Sequence, residues 1–63
     1  MDWANMVIKL RNKMLLTQTE LASLLGVSFG TVNRWENGKH DPTMKQKRAL
    51  MKLIKENNVG VND

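Results

Sequence analysis

The sequence predicts an all-α domain of four helices, and three observations carry that expectation. Apolar residues recur at spacings of three and four along most of the 63 residues. Residues that cap helix starts, among them two Thr-x-x-Glu/Gln boxes, precede each apolar stretch. Between the stretches stand breakers: Gly26, Asn37-Gly38 and Asp41-Pro42. A chain of this length holds one small domain, expected over residues 1–57 with a short tail at 58–63.

The first helix is expected from Asp2 to Met14, with Asp2 as its cap and Trp3, Met6, Val7, Leu10 and Met14 on the buried face. Thr17-Gln18-Thr19-Glu20 opens the second, in which the Thr17 hydroxyl and the Glu20 carboxylate each satisfy a free backbone amide. Leu21, Ala22, Leu24 and Leu25 supply its apolar side, and Gly26 ends it in the left-handed conformation. Ser28 caps the third, Phe29 to Glu36, with Val32 and Trp35 pointing inward. Thr43 and Gln46 repeat the capping box before a last helix that runs to about Asn57 and turns Ala49, Leu50, Leu53 and Ile54 inward. The residues after it show no helical period and are expected to fray.

Composition narrows function. There is no cysteine, so neither a disulfide nor a cysteine zinc site is available and a reducing cytoplasm suits the chain. The N-terminus is neither basic nor apolar, and no run of about 18–20 apolar residues exists, so neither a secretory signal nor a membrane span is expected. His40 is the sole histidine, which argues against a metal site, and no histidine–acid pair accompanies Thr17, Ser23, Ser28 or Thr31 as a nucleophile. No enzyme and no cofactor is expected. From Lys9 to Lys55 all ten basic residues face only Glu20, Glu36 and Asp41, a net +7 against +4 for the whole chain. That balance suits a polyanion, nucleic acid above all.

The second and third helices are joined by only Gly26-Val27-Ser28, too little chain for them to lie antiparallel. They must cross steeply, which is helix-turn-helix geometry: one helix lies across the phosphate backbone while the next enters the major groove. With Val32 and Trp35 inward, the outer arc carries Phe29, Gly30, Asn33, Arg34 and Asn37. Arg34 is suited to guanine, Asn33 to adenine and Phe29 to a thymine methyl, while Gly30 permits close backbone approach. Phe29, Gly30, Asn33 and Arg34 are therefore the expected base readers.

The run from Leu16 to Ser28, followed by Thr31-Val32, Arg34-Trp35-Glu36-Asn37-Gly38 and Pro42, resembles the Cro and phage-repressor family of helix-turn-helix domains. The resemblance spans roughly Ile8 to Ile54 and implies a lambda-repressor-like fold that binds DNA in the cytoplasm, at the nucleoid. It also implies that Gln18 touches phosphate and braces the recognition helix, that Ala22 is the small residue at the helix crossing, and that Arg11 and Glu36 form an ion pair. The Asn37-Gly38-Lys39 stretch matches a phosphate-binding loop. Thr17, Gln18, Ser28, Thr31, Asn37 and Lys39 are thus the expected phosphate contacts. Phe29 and Gly30 depart from the polar readers common in the family.

The expected partner is a double-stranded operator, an inverted repeat bound by a homodimer, and the expected role is that of a bacterial or phage transcriptional regulator of the repressor type. A rival reading is a protein-interaction module or an antitoxin with a toxin partner. It would work through the Met44 and Met51 flank of the last helix or through Val59-Gly60-Val61. The methionine flank is equally a candidate dimer contact.

Overall fold

A computed structural model describes residues 2–59. Its four helices are α1 (Trp3–Lys13), α2 (Gln18–Leu25), α3 (Phe29–Glu36) and α4 (Met44–Glu56), and there is no strand among the described residues. Every expected cap is in place. Asp2 accepts from the Asn5 amide, Ser28 from Thr31, and Thr17 and Thr43 each complete a reciprocal box, with Glu20 and Gln46 respectively.

All four helices end alike, on a backbone bond that reaches back five residues past a left-handed turn. The bonds run from Leu16 to Arg11, Val27 to Ala22, Lys39 to Arg34 and Val59 to Ile54, at 3.0, 2.9, 3.0 and 3.0 Å. Gly26 and Gly38 take the positive φ values, 70° and 72°, without a Cβ penalty. Leu15 and Asn58 take them too, at 58° and 56°. Asparagine tolerates that conformation, whereas leucine is strained by about 1–2 kcal/mol. Leu15 gains nothing obvious in exchange, being 89% exposed.

The core is a single cluster of Val7, Leu10, Leu21, Ala22, Val32, Trp35, Leu50, Ile54 and Val59. Helix α3 packs on both α1 and α2, and α4 closes over α1. Buried Pro42 ties down the connection from α3 to α4.

Several side chains sit other than expected. Leu24 is 55% exposed because it lies about 110° around α2 from the buried centre of Leu21, Ala22 and Leu25, more than one apolar stripe can span. Ala49 is also exposed, since Leu50 and Ile54 define the inner face of α4 and Ala49 projects away from both. Trp3 is only half-buried: in the first turn of α1 it overhangs the edge of the core, with the Lys47 ammonium 5.7 Å from its ring centroid. Val59, expected in a frayed tail, is 4% exposed and belongs to the core, because the turn at Asn58 folds it back against α4. The rest of that tail, Gly60 and Val61 included, lies outside the described residues.

Candidate nucleic-acid interface

Helix α3 is divided into two faces. Val32 and Trp35 are 0% and 2% exposed, while Phe29 is 52% exposed and Arg34 and Asn37 are open to solvent. Gly30 and Asn33 are half-buried beside them. The outer face is thus continuous from the N-terminus of α3 to the following loop, where Lys39 is also exposed.

The interior end of the site is the Arg11–Glu36 pair. Arg11 Nε donates to Glu36 Oε2 at 2.7 Å and Arg11 Nη2 to Oε1 at 3.0 Å, a forked contact joining α1 to the last turn of α3. Arg11 Nη1 also reaches the Leu16 carbonyl at 3.3 Å, which fixes the turn before α2. The Glu36 side chain is 6% exposed and that of Arg11 22%. Burial pushes the Glu36 carboxyl upward, but the hydrogen bonds from Arg11 and Gln18, with the Arg11 charge, outweigh it and hold the group below the usual carboxylate range. Its hydrogen bond to Glu36 raises Arg11 in turn.

Gln18 stands between this pair and the outer face. Its Nε2 donates to Glu36 Oε1 at 3.0 Å, and its Oε1 accepts from Asn33 Nδ2 at 3.4 Å. Asn33 Oδ1 then accepts from Asn37 Nδ2 at 3.1 Å. Asn33 and Asn37 are one turn apart, so their contact was available from spacing; the link from Gln18 to Asn33 joins separate helices and carries no local signal.

At the other end of α3 the Ser28 hydroxyl accepts from the Thr31 amide at 3.2 Å and shares a hydrogen bond with Thr31 Oγ1 at 2.9 Å. Arg34 lies back along the helix. Its Nη2 is 3.5 Å from Thr31 Oγ1, and its Nη1 is 3.1 Å from where a Cβ on residue 30 would sit, so Gly30 leaves the guanidinium its place. A small polar cleft beside Arg34 is lined also by Thr31, His40, Asp41, Thr43 and Gln46. At the start of α2, Thr17 is engaged by its own cap. Its amide donates to Glu20 Oε1 at 2.8 Å and its Oγ1 accepts from the Glu20 amide at 3.1 Å, leaving the hydroxyl proton free to donate. The backbone hydrogen bond from Thr17, and then that of its side chain, lower the exposed Glu20 carboxyl.

A family model described as helix-turn-helix matches residues 7–57, most of the chain and all of the geometry above. The chain belongs to the Cro and phage-repressor-like helix-turn-helix family. No curated protein and no solved structure matches it. Its family is one of DNA-binding regulators, with DNA as the partner. Within this helix-turn-helix, α2 and α3 are the paired helices and Gly26-Val27-Ser28 the turn. No helix among the described residues is long and apolar enough to cross a membrane, and no cluster of metal-ligating side chains occurs among them.

The methionine flank is a different kind of surface. Met44, 67% exposed, and half-buried Met51 line a shallow groove with Lys47, Arg48, Lys52 and Lys55. A two-fold contact between copies of this groove brings like charges together.

Proposed function

We propose that the protein is a sequence-specific double-stranded DNA-binding regulator of the repressor type, reading the major groove with α3. The observation that carries this reading is the division of α3: an inner stripe locked into the core, and an outer face on which Phe29 and Arg34 are exposed with half-buried Gly30 and Asn33 between them. A recognition helix needs that combination, because base contacts demand both exposure and a fixed orientation. Arg34 is the guanine reader and Asn33 the adenine reader, and Phe29 meets a thymine methyl. Thr17, Gln18, Ser28, Thr31, Asn37 and Lys39 ring this face and contact phosphate. Binding occurs as a homodimer on an inverted repeat, which gives so small a domain a second half-site and places both copies of α3 on one side of the duplex. Repression follows from occupancy: a bound dimer excludes polymerase without any catalytic step.

Selection of bound sites from random duplex DNA tests the reading. The expected product is an inverted repeat with half-sites about 34–36 Å apart, one helical turn. Recovery of no consensus overturns it, and recovery of a single asymmetric site bound by a monomer overturns the dimer.

A further inference from the structure

The hydrogen bonds that run from Glu36 to the outer face have a direction, and the direction has a chemical cause. An ionised carboxylate accepts hydrogen bonds and cannot donate. Glu36 already accepts two from Arg11, so the amide of Gln18 can meet it only through its NH2 group, as the 3.0 Å contact from Nε2 shows. The Gln18 carbonyl oxygen is thereby turned toward α3. It can be met only by a donor, and Asn33 supplies Nδ2. Asn33 is left with its carbonyl oxygen toward Asn37, which supplies Nδ2 in turn. Each carboxamide is oriented by the one before it. Donation runs Asn37 to Asn33 to Gln18 to Glu36, and the Asn37 carbonyl oxygen stands at the exposed end.

We propose that Glu36, though buried away from DNA, is a specificity-determining positioning residue: it sets the hydrogen-bonding polarity of the Asn33–Asn37 edge so that this edge offers carbonyl oxygen to the groove. In the major groove only adenine and cytosine carry an exocyclic amino donor, whereas guanine and thymine present acceptors. The Asn37 carbonyl oxygen, with no internal donor on it, therefore favours an amino-bearing base, adenine or cytosine, on the strand it meets. Asn33 keeps one free N–H and one free lone pair after its two internal bonds, enough for the paired contact with adenine. The inference rests on the reading of α3 as the groove-facing helix, and it moves Asn37 from the ring of phosphate contacts to a base edge.

Replacing Glu36 by glutamine tests it, because a carboxamide in that place offers one acceptor oxygen to the three donors that now share two, so Gln18 is no longer held with its NH2 toward residue 36. Gln18, Asn33 and Asn37 are then free to reverse, and the exposed end can donate as readily as accept. Sites are selected from random duplexes with the parent chain, Glu36→Gln, Gln18→Met and Asn37→Ala, each at a temperature where circular dichroism shows it folded. Asn37→Ala locates the base position by its loss of preference there. At that position the parent should prefer adenine or cytosine by about fivefold or more. Glu36→Gln should weaken the preference, and Gln18→Met, which cuts the chain of amides while sparing the ion pair, should abolish it. The position read by Arg34 should keep its preference in both variants. A purely structural role for Glu36 would lower affinity at all positions alike. A parent consensus with guanine or thymine at this position, or an unchanged preference in Gln18→Met, overturns the inference while leaving groove reading intact. If Glu36→Gln does not fold, Gln18→Met decides the matter alone. A parent chain that enriches no consensus instead overturns the reading of α3 itself.

Discussion

Removing Arg11 while keeping its bulk, as in Arg11→Met, isolates what the ion pair contributes. The Glu36 carboxylate, with its side chain 6% exposed, would keep a single donor, Gln18 Nε2, where it now has three. Stranding a buried charge costs about 3–5 kcal/mol, against about 0–1 for an exposed pair. A domain this small has about 3–5 kcal/mol in total, so the variant should be largely unfolded at neutral pH. Glu36→Ala should cost less, about 2–3 kcal/mol, because the stranded Arg11 is 22% exposed, reaches water and retains the Leu16 carbonyl.

The pH dependence makes the argument sharper, because its sign reverses. In the parent chain the folded Glu36 carboxyl lies below its unfolded value, so its contribution is complete above about pH 4.5 and is lost as pH falls through the folded value. In Arg11→Met the desolvation that already acts on Glu36 loses its main opponent, and the folded carboxyl rises above the unfolded one. Protonation then favours the folded state, so the variant should gain stability between pH 7 and 5 while the parent does not. The folded fraction by circular dichroism from pH 7 to pH 4, with urea denaturation wherever a native baseline exists, measures both curves. The exposed Glu20 carboxyl, lowered by its cap, titrates in both chains and cancels in their difference. A loss below about 1 kcal/mol at pH 7, or parallel pH curves, refutes the reasoning.

Other perturbations follow from the same structure. Leu15→Gly relieves a left-handed leucine that is 89% exposed, and after the added unfolded-chain entropy it should stabilise by about 0.5–1 kcal/mol, raising the melting temperature by about 2–8 °C; an unchanged or lower melting temperature contradicts this. Gly30→Ala should also stabilise, by up to about 1 kcal/mol, because the atom its methyl meets at 3.1 Å is the mobile end of Arg34; destabilisation would mean that the guanidinium is held rigidly. Arg34→Ala should lose about 1–3 kcal/mol on the preferred duplex and little on random DNA. Lys39→Ala should weaken both alike and reduce the slope of log affinity against log salt by about one, so a specific-to-random ratio that is unchanged in Arg34→Ala misplaces the reading face.

What could be read from the chain was whatever is local. Capping boxes, the glycine at 26 and the Asn-Gly at 37–38 act through neighbours three to five residues away, and the helices they bound agree with the expectation to within a residue or so at each end. Leu15 escaped because its strain is imposed by the turn into α2 and leaves no mark in residue type. Leu24 and Ala49 were misplaced for another reason. Apolar identity does not fix a face when an eight-residue helix carries four apolar residues over about 160° of its circumference, wider than the stripe it buries, and the packed neighbours choose among them. Val59 depends on the turn at Asn58, which a search for helical period cannot detect.

The site divides along the same line. Spacing alone separated the two faces of α3, since Val32 and Trp35 lie a turn apart, and the family resemblance paired Arg11 with Glu36. Neither disclosed that the pair continues through Gln18 into Asn33 and Asn37, because that continuation depends on three helices meeting at one carboxylate. The meeting has an energetic consequence. Glu36 is both the acceptor that fastens α1 to α3 and the origin of the amide chain, so a substitution there loosens the fold and alters the reading face together. Gln18→Met separates the two effects: it leaves both Arg11 bonds in place and removes one hydrogen bond from Glu36, a loss of about 1.5–3 kcal/mol for a charged acceptor. Base preference that changes in Gln18→Met with the Arg11 bonds intact would therefore come from amide orientation and not from loss of the ion pair.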